Sequence, residues 1–402
     1  MVKELYQIKQ RETALNITDS RVDSVRRKNI TKTGCRVYEN GCIGIAGVLG
    51  EPTEATWEKA EAALSAAVPY PYAPCEGAVR MRELGKITED RELIAKTELL
   101  LETLRKEFPG YVYSNKVYSN EVTTLLKNDL GLCLEDIQRT VTVVIVVKEE
   151  CSANVYDTVI AWIGREYDLE AVLRTARQIL SAHSNPVALP EGRIPVLMRS
   201  DMASDILSDY LDVQKLKKGA SLLSGKEGEQ LFSPEFNLVA SRKSDTYSAF
   251  FDAEGMTLPD DRLPLIESGI LLRGIADKKY ASEYEAENTA CAGGDYDDVP
   301  SLDAESGTVS VKATGTLEQL LGAQDAIYVA MASGGDITPS GDYATPVQTA
   351  YLLRGGKLVG KLPELNFRGN IFDLLGKDYL GCSSDRPFDD ARLLAVYGEL
   401  SK

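Results

Sequence analysis

Carboxylates are the side chains in this sequence with the clearest potential for chemistry. Asp209 and Asp212 lie three positions apart in LSDYLDV, a segment that predicts a helix. Residues at this spacing share one helix face, where two carboxylates can share a proton or bind a metal ion. A solvated helix face is the commoner role of such a pair. Other acids that could serve a hydrolase are Asp252 and Glu254 in FFDAEG.

A glycine-rich stretch, SGGDITPSGDYATP, follows the apolar run AIYVAMA, which predicts a strand. It contains Gly334, Gly335 and Gly341. A phosphate-binding loop of the GxxxxGK[ST] type needs a lysine after its last glycine, and Asp342 stands there instead. Because an aspartate repels phosphate, we exclude a phosphate cradle. Two interpretations stay open: a tight structural turn, or a place where the backbone approaches another chain.

Metal-binding patterns are absent from the sequence. The chain has one histidine, His183, which excludes HExxH and HExxxH motifs, and its seven cysteines form no CxxC. His183 falls at the end of a predicted helix, where a histidine interacts favourably with the helix dipole. In DYDDVPSLDAES, Val299 and Pro300 break the calcium-loop pattern, so an acidic solvated loop is expected there.

Composition limits the function classes. The formal charge is −16, from 45 Lys and Arg against 61 Asp and Glu, which disfavours direct contact with nucleic acid or anionic lipid. The N-terminal residues carry charges throughout, without the apolar core of a secretory signal, and no run has the length of a membrane span. With scattered cysteines, these features predict a cytoplasmic protein with reduced thiols.

Periodicity predicts two domains, divided near residue 190 at the proline-rich SNPVALPEGRIP. In residues 1–190, short strands are expected across 11–48 with an Asn40-Gly41 hairpin turn, followed by helices beginning at Thr53 and Thr88. Tyr111–Lys127 and Thr140–Val147 predict further strands, and DLEAVLRTARQIL a third helix. Residues 191–402 are expected to be rich in strands: FNLVASR, SAFFDAEG, GILLRGIAD, TVSVKATG, AIYVAMASGG, TAYLLRGGKLVGKL and ARLLAVYGEL.

Several segments together resemble one family. RVDSVRRKNITKTGCRVYENGCIGIAG, FFDAEGMTLPDDRLPLIESGILLRGIAD, SGGDITPSGDY, LLRGGKLVGKL and FRGNIFDLL are similar, in this order, to conserved blocks of the TldD/TldE (PmbA) proteins, also called putative modulators of DNA gyrase. The resemblance implies an α+β fold of two domains. The N-terminal one would be α/β with a mixed or antiparallel sheet, and the C-terminal one β-rich.

The resemblance also implies a role. TldD-like members carry HExxxH and a later cysteine and are zinc metallopeptidases, whereas TldE-like members lack the motif and pair with TldD. The matching region here, Ser208 to Gly219, has no histidine, so the chain looks TldE-like. No cofactor is then expected in this chain, and zinc only in a TldD-like partner. Whether Cys382 matches the zinc-ligand cysteine is left open.

A peptide cleft completes the implied picture, with unfolded or extended peptides as substrates and a homodimer as a further possibility. The residues assigned to it are Asp252, Glu254, Gly255, Gly334, Gly335, Gly341 and Asp342. Two other hypotheses stay open. One is a hydrolase acting alone through Asp209, Asp252 or Glu254. The other is a regulator associated with gyrase that is not an enzyme.

Overall fold

Long antiparallel strands form the beginning of the chain in this computed structural model, which describes residues 1–303, 308–388 and 391–402. They are β1 (Val2–Thr18), β2 (Arg21–Glu39) and β3 (Cys42–Leu49). Asn40 and Gly41 have positive φ values of 50° and 74°, which confirms the predicted hairpin turn. The prediction of separate short strands across 11–48 was wrong, because β2 continues unbroken and β1 begins well before residue 11.

The first sheet has the strand order β3-β2-β1-β5-β6-β4, with β7 also on β6. Its other strands are β4 (Val79–Leu84), β5 (Tyr111–Asn128), β6 (Cys133–Glu149) and β7 (Thr158–Gly164). Only the β4–β6 pair among these is parallel, so the sheet is mixed. The apolar run in β6 has β5 on one side and β7 on the other, as expected of a central strand.

Three helices accompany this sheet: α1 (Glu54–Ala63), α2 (Asp90–Glu107) and α3 (Leu169–His183). Thr53 is the N-cap of α1, as predicted. The residue that caps α2 is Glu89, one position after the predicted Thr88, because Glu89 is still extended and its carbonyl accepts the first helical hydrogen bond from Leu93. The apolar stripe of α2 packs against the sheet with the inner residues of β6.

Short elements make up the second half of the chain. Its strands are β8 (Pro195–Arg199), β9 (Leu238–Ser241), β10 (Arg262–Glu267), β11 (Ile270–Leu271), β12 (Ala292–Gly293), β13 (Ser301–Leu302), β14 (Val309–Val311), β15 (Ala326–Ala332), β16 (Asp336–Ile337), β17 (Asp342–Arg354), β18 (Lys357–Lys361), β19 (Leu365–Asn370), β20 (Tyr379–Cys382), β21 (Leu393–Tyr397) and β22 (Glu399–Ser401). Its helices are α4 (Ser200–Leu211), α5 (Val213–Lys217), α6 (Lys278–Glu283), α7 (Leu317–Leu321) and α8 (Ile371–Leu374).

These strands form sheets of their own. Within the described residues, the largest has the order β20-β21-β8-β15-β17-β19-β22, with β16 and β18 paired to β17. A four-stranded sheet, β11-β10-β9-β14, and the pair β12-β13 complete the half. The chain is therefore an α+β protein with a two-domain architecture and a β-rich second part, as the sequence indicated.

Two local predictions for this half were wrong. SAFFDAEG is a turn, because the Asp252 side chain takes the backbone N–H groups that a strand would offer to its neighbour. The helix predicted through LSDYLDV breaks at Asp212, which has extended dihedrals (φ −51°, ψ 117°) and separates α4 from α5. Asp209 and Asp212 therefore do not share one helix face. Residues 304–307, which include the end of the acidic segment, lie outside the described residues.

Helix α3 connects the two sheets. Leu173 and Leu180 pack into the core of the first sheet, while Ile179 and Ala182 pack against Leu197 and its neighbours in the second half. Because one helix contributes to both cores, the predicted boundary near residue 190 stays a prediction. None of the helices in the described ranges has both the length and the apolarity to cross a membrane.

Candidate functional site

The turn around Asp252 is buried and organised by its own carboxylate. Oδ1 of Asp252 accepts hydrogen bonds from the backbone N–H groups of Glu254 and Met256, both at 2.9 Å, and Oδ2 accepts one from Ala292 at 3.0 Å. Burial raises the pKa of this carboxyl, against the opposing charge of Arg242. Asp252 therefore acts as a structural acceptor that ties the turn to β12.

Glu254 lies between the two halves of the molecule. Its Oε1 accepts a hydrogen bond from the Tyr70 hydroxyl at 2.7 Å, and its Oε2 accepts one from the backbone N–H of Lys278 at 2.9 Å. Burial, and then the charge of Asp252, raise the pKa of Glu254 to about 7. Its side chain is only 3% exposed, so no peptide reaches it from solvent.

The same turn is held by the first sheet from the other side. Arg36, which is fully buried, donates from Nη1 to the Ala253 carbonyl at 2.6 Å. Gly255 has a φ of 77°, and a Cβ there would lie 3.0 Å from Leu132 Cδ2. Gly255 thus permits both a left-handed turn and close packing against β5 and the turn that follows it. The residues DAEG form an internal joint between the halves.

The glycine-rich stretch forms an exposed hairpin in which β16 folds back on β17. Gly334, Gly335 and Gly341 have φ values of 79°, 125° and 89°, so each position favours glycine. The Asp342 carboxylate accepts hydrogen bonds from Asn370 Nδ2 at 3.0 Å and Ser340 Oγ at 2.7 Å, and these bonds lower its pKa. Asp342 therefore caps its own turn.

The two groups of predicted site residues have different neighbours. Gly255 packs against Leu126 and Leu132 of the first sheet, whereas Gly341 packs against Ile371 and Phe372 at the start of α8. The structure therefore assigns the DAEG turn to the joint and the glycine hairpin to the surface of the large second sheet.

Ser208 to Gly219, the segment that matches the HExxxH region of TldD-like proteins by resemblance, covers the end of α4 and all of α5. Asp209 is exposed and paired with Lys215, while Asp212 accepts the Gln214 N–H at 2.8 Å as the N-cap of α5. The segment from Ser208 to Gly219 supplies no histidine nitrogen or cysteine sulfur as a metal ligand. Among the described residues, no group of three His, Cys, Asp or Glu side chains is placed to hold a metal ion. A zinc ion does not fit these residues.

His183 lies at the end of α3, outside the segment from Ser208 to Gly219. It is buried and has polar partners on both ring nitrogens. Lys361 Nζ lies 3.1 Å from Nε2, which must then accept, so Nδ1 donates to the Tyr351 hydroxyl at 3.1 Å. Burial, together with the charge of Lys361, lowers the pKa of His183 to about 4. His183 lies in the last turn of α3, as predicted, but its imidazole is neutral at pH 7 and adds no positive charge at the helix C-terminus.

A polar cleft of about 420 Å³, which the sequence did not indicate, lies beside the first half of α4. Within it, Arg392 donates to Asp245 at 2.8 Å, and Arg386 donates to the Tyr247 hydroxyl at 3.2 Å. Its charged lining residues are Arg199, Asp201, Asp205, Asp245, Arg386 and Arg392. They come from separate segments, so no local motif could have revealed the cleft.

Cys382 lies beneath this cleft and interacts with Ser200 and Arg392, both of which line it. Its side chain is fully buried, and burial raises the pKa of the thiol to about 11. A thiol in this state is protonated at neutral pH and is a poor metal ligand.

Residues 191–395 match the family model described as the PmbA/TldA metallopeptidase C-terminal domain. The chain belongs to the PmbA/TldD family. It is also 24% identical over 215 residues to an uncharacterized protein of Methanocaldococcus jannaschii. That match covers 52% of this chain and 50% of the archaeal protein, so the chain spans about half the length of this curated relative.

Solved structures show the fold over the full length of this PmbA/TldD-family chain. TldE from Thermococcus kodakarensis superposes with a TM-score of 0.76 at 18% identity, covering 100% of this chain and 97% of that one. A putative modulator of a DNA gyrase from Thermotoga maritima gives 0.75 at 18%, covering 100% and 96%. At these identities the match establishes the architecture and not the activity.

Proposed function

We propose that this chain is a zinc-free, TldE-like partner subunit that helps to shape the peptide cleft of a TldD-type zinc metallopeptidase. The observation that carries the proposal is the chemistry of Ser208 to Gly219. Its acidic side chains hold Lys215 and the N-terminus of α5, and the one histidine of the chain is buried elsewhere between Lys361 and Tyr351. Zinc would then be supplied by the TldD-like partner, and this chain would need no cofactor.

An extended peptide has a suitable place beside the glycine hairpin. Strand β15 pairs with β8 only at Ile327 and Tyr328, and β8 ends at Arg199, just before α4 begins. Residues 329–332 therefore have one side without a strand partner among the described residues. An extended peptide could pair there, next to Gly334 and Gly335, where side chains would obstruct it.

The alternative of a hydrolase acting alone has less support. Asp252 and Glu254 are buried in the joint between the halves, and Asp209 is exposed and paired with Lys215. Asp252 and Glu254 share one turn, where each side chain has its own hydrogen-bond partners, and Asp209 belongs to a different element, α4. A gyrase-associated role rests on the names of two structural relatives, and the charge of −16 disfavours direct contact with DNA.

Reconstitution tests the proposal. The chain and a TldD-like protein carrying HExxxH are expressed separately and together, and peptidase activity on an unfolded protein substrate is measured with zinc content. We expect the chain alone to be inactive, the pair to co-purify, and zinc to follow the TldD-like subunit. Peptidase activity in the chain alone, or a TldD-like protein that neither binds it nor responds to it, would refute the proposal. A cytoplasmic location is part of it and fits the seven free thiols.

A further inference from the structure

Part of strand β2 is an open edge of the first sheet. β2 pairs with β1 along its length but with β3 only from Lys32 to Glu39. Just before Lys32, the Thr31 carbonyl accepts one more hydrogen bond, from the Gly50 N–H at 2.8 Å. Residues 21–30 have no strand neighbour on that side within the described part of the chain. Most of their side chains, including those of residues 23–27, are exposed.

The alternation of a strand identifies the backbone groups that face this edge. The Thr31 carbonyl points away from β1, and N–H and C=O groups of every second residue point the same way. Val25, Arg27 and Asn29 therefore present their backbone donors and acceptors outward. The register shift opposite Asn16 and Ile17 leaves Asp23 as an extra residue and ends this ladder.

The open edge is strongly basic in an acidic protein. Arg21, Arg26, Arg27 and Lys28 lie within it against a single acid, Asp23, while the whole chain carries −16. Arg26 and Lys28 lie on one face of the sheet. Arg27 lies on the other, where it pairs with Asp90 at 2.6 Å, and Arg11 of β1 lies beside Asn29 on the same face. An added strand would meet Arg26 and Lys28 on one face, with Glu12 of β1 across from Lys28, and Arg27, paired with Asp90, on the other face.

We propose that residues 21–29 of β2 bind an extended, acidic segment of a partner protein, which adds to the sheet as a further strand. Backbone hydrogen bonds would provide affinity, and the arginines and lysine would select acidic side chains. A second copy of this edge is a poor partner, because it would bring two net positive strips together. The inference does not depend on the proposed function, since it concerns the first sheet and is tested on the chain alone.

Fluorescence anisotropy tests the charge requirement. The probe is a fluorescein-labelled nine-residue peptide of alternating threonine and glutamate, titrated with the full chain at low salt. We expect binding that weakens as salt is added and falls at least tenfold in the double variant Arg26→Glu, Lys28→Glu. Lys357→Glu, which reverses an exposed charge at the start of β18, should bind as the wild type does. Equal binding of a threonine–lysine peptide would overturn the inference.

Proline substitution tests strand addition separately from charge. Val25→Pro and Asn29→Pro each remove an outward N–H without removing a bond to β1, which edge strands tolerate. We expect each to weaken binding at least fivefold with little change in melting temperature, and the glutamate peptide to slow hydrogen exchange at the amides of Val25, Arg27 and Asn29. Unchanged affinity in both proline variants would overturn the inference. So would sedimentation showing that the edge is already paired in a homodimer.

Discussion

Replacing Glu254 with glutamine should make the protein more stable at alkaline pH. The buried carboxyl holds its proton up to about pH 7, whereas the unfolded chain releases it near the ordinary value of 4.5. Between these values the folded state binds more protons than the unfolded state, so stability falls as the pH rises through this window and then levels off. Glutamine has almost the same shape and carries no charge, so it removes this pH dependence.

The size of the effect follows from the two pKa values. Raising the pKa of Glu254 from 4.5 to about 7 corresponds to about 3 kcal/mol at about 1.4 kcal/mol per pH unit. We therefore expect Glu254→Gln to raise the free energy of unfolding by up to about 3 kcal/mol at pH 8 and by about 1 kcal/mol at pH 5. The amide can still accept from the Lys278 N–H and donate to the Tyr70 oxygen.

Urea unfolding followed by tryptophan fluorescence at pH 5 and pH 8 measures this difference. Glu364→Gln is the control, because Glu364 is exposed and its replacement should leave the pH dependence unchanged. A loss of stability at pH 8 in Glu254→Gln would show that the joint requires an ionised carboxylate. That result would refute our account of the hydrogen bonds that Glu254 makes with Tyr70 and Lys278.

Four further results are expected. Gly335→Val should lower stability by about 1–2 kcal/mol, since its φ is 125° and a Cβ would lie 3.1 Å from Thr345 Cβ, whereas Gly334→Ala meets no neighbour and measures the cost of a positive φ alone. If the hairpin serves the shared cleft, Gly335→Val should reduce the peptidase activity of the reconstituted pair by more than its lower melting temperature explains. Asp342→Asn should reduce the activity without lowering the melting temperature. In an NMR titration the His183 imidazole should stay neutral to about pH 5, and stability should decline as the pH falls from 6.5 towards its pKa of about 4. Elemental analysis of the isolated chain should show no stoichiometric zinc; about one per chain would refute the zinc-free assignment.

Local signals in the sequence predicted much of the secondary structure. The Asn40-Gly41 turn requires positive φ at both positions, and that need is visible in any sequence. Thr53 and the apolar stripe of α2 are equally local features. Strand β1 was missed before residue 11 because VKELYQIKQ mixes charges with apolar residues. In the structure this segment lies between β2 and β5, so its strand character comes from partners distant in sequence.

The candidate site was harder to foresee because its meaning depends on contacts between distant segments. SAFFDAEG was predicted to be a strand with its acids in a peptide cleft, and only the approach of Tyr70 and Arg36 makes DAEG a buried joint. The polar cleft beside α4 combines residues from Arg199 to Arg392, and no single segment carries its pattern. The same limit applies to His183, whose lowered pKa depends first on its burial and then on the charge of Lys361.

The structural roles of Asp252, Glu254 and Asp212 favour the proposal of a partner subunit. Catalysis by carboxylates requires at least one that is accessible to substrate and free of structural duties. Asp252 holds three backbone N–H groups, Glu254 joins the two halves, and Asp212 caps α5, so replacing any of them would be expected to harm the fold before it harmed a reaction. The chain nevertheless keeps a polar cleft, a strand edge beside the glycine hairpin and the family fold. If the strand edge binds a peptide, as we propose, the structural duties of these three acids leave the catalytic groups to another subunit.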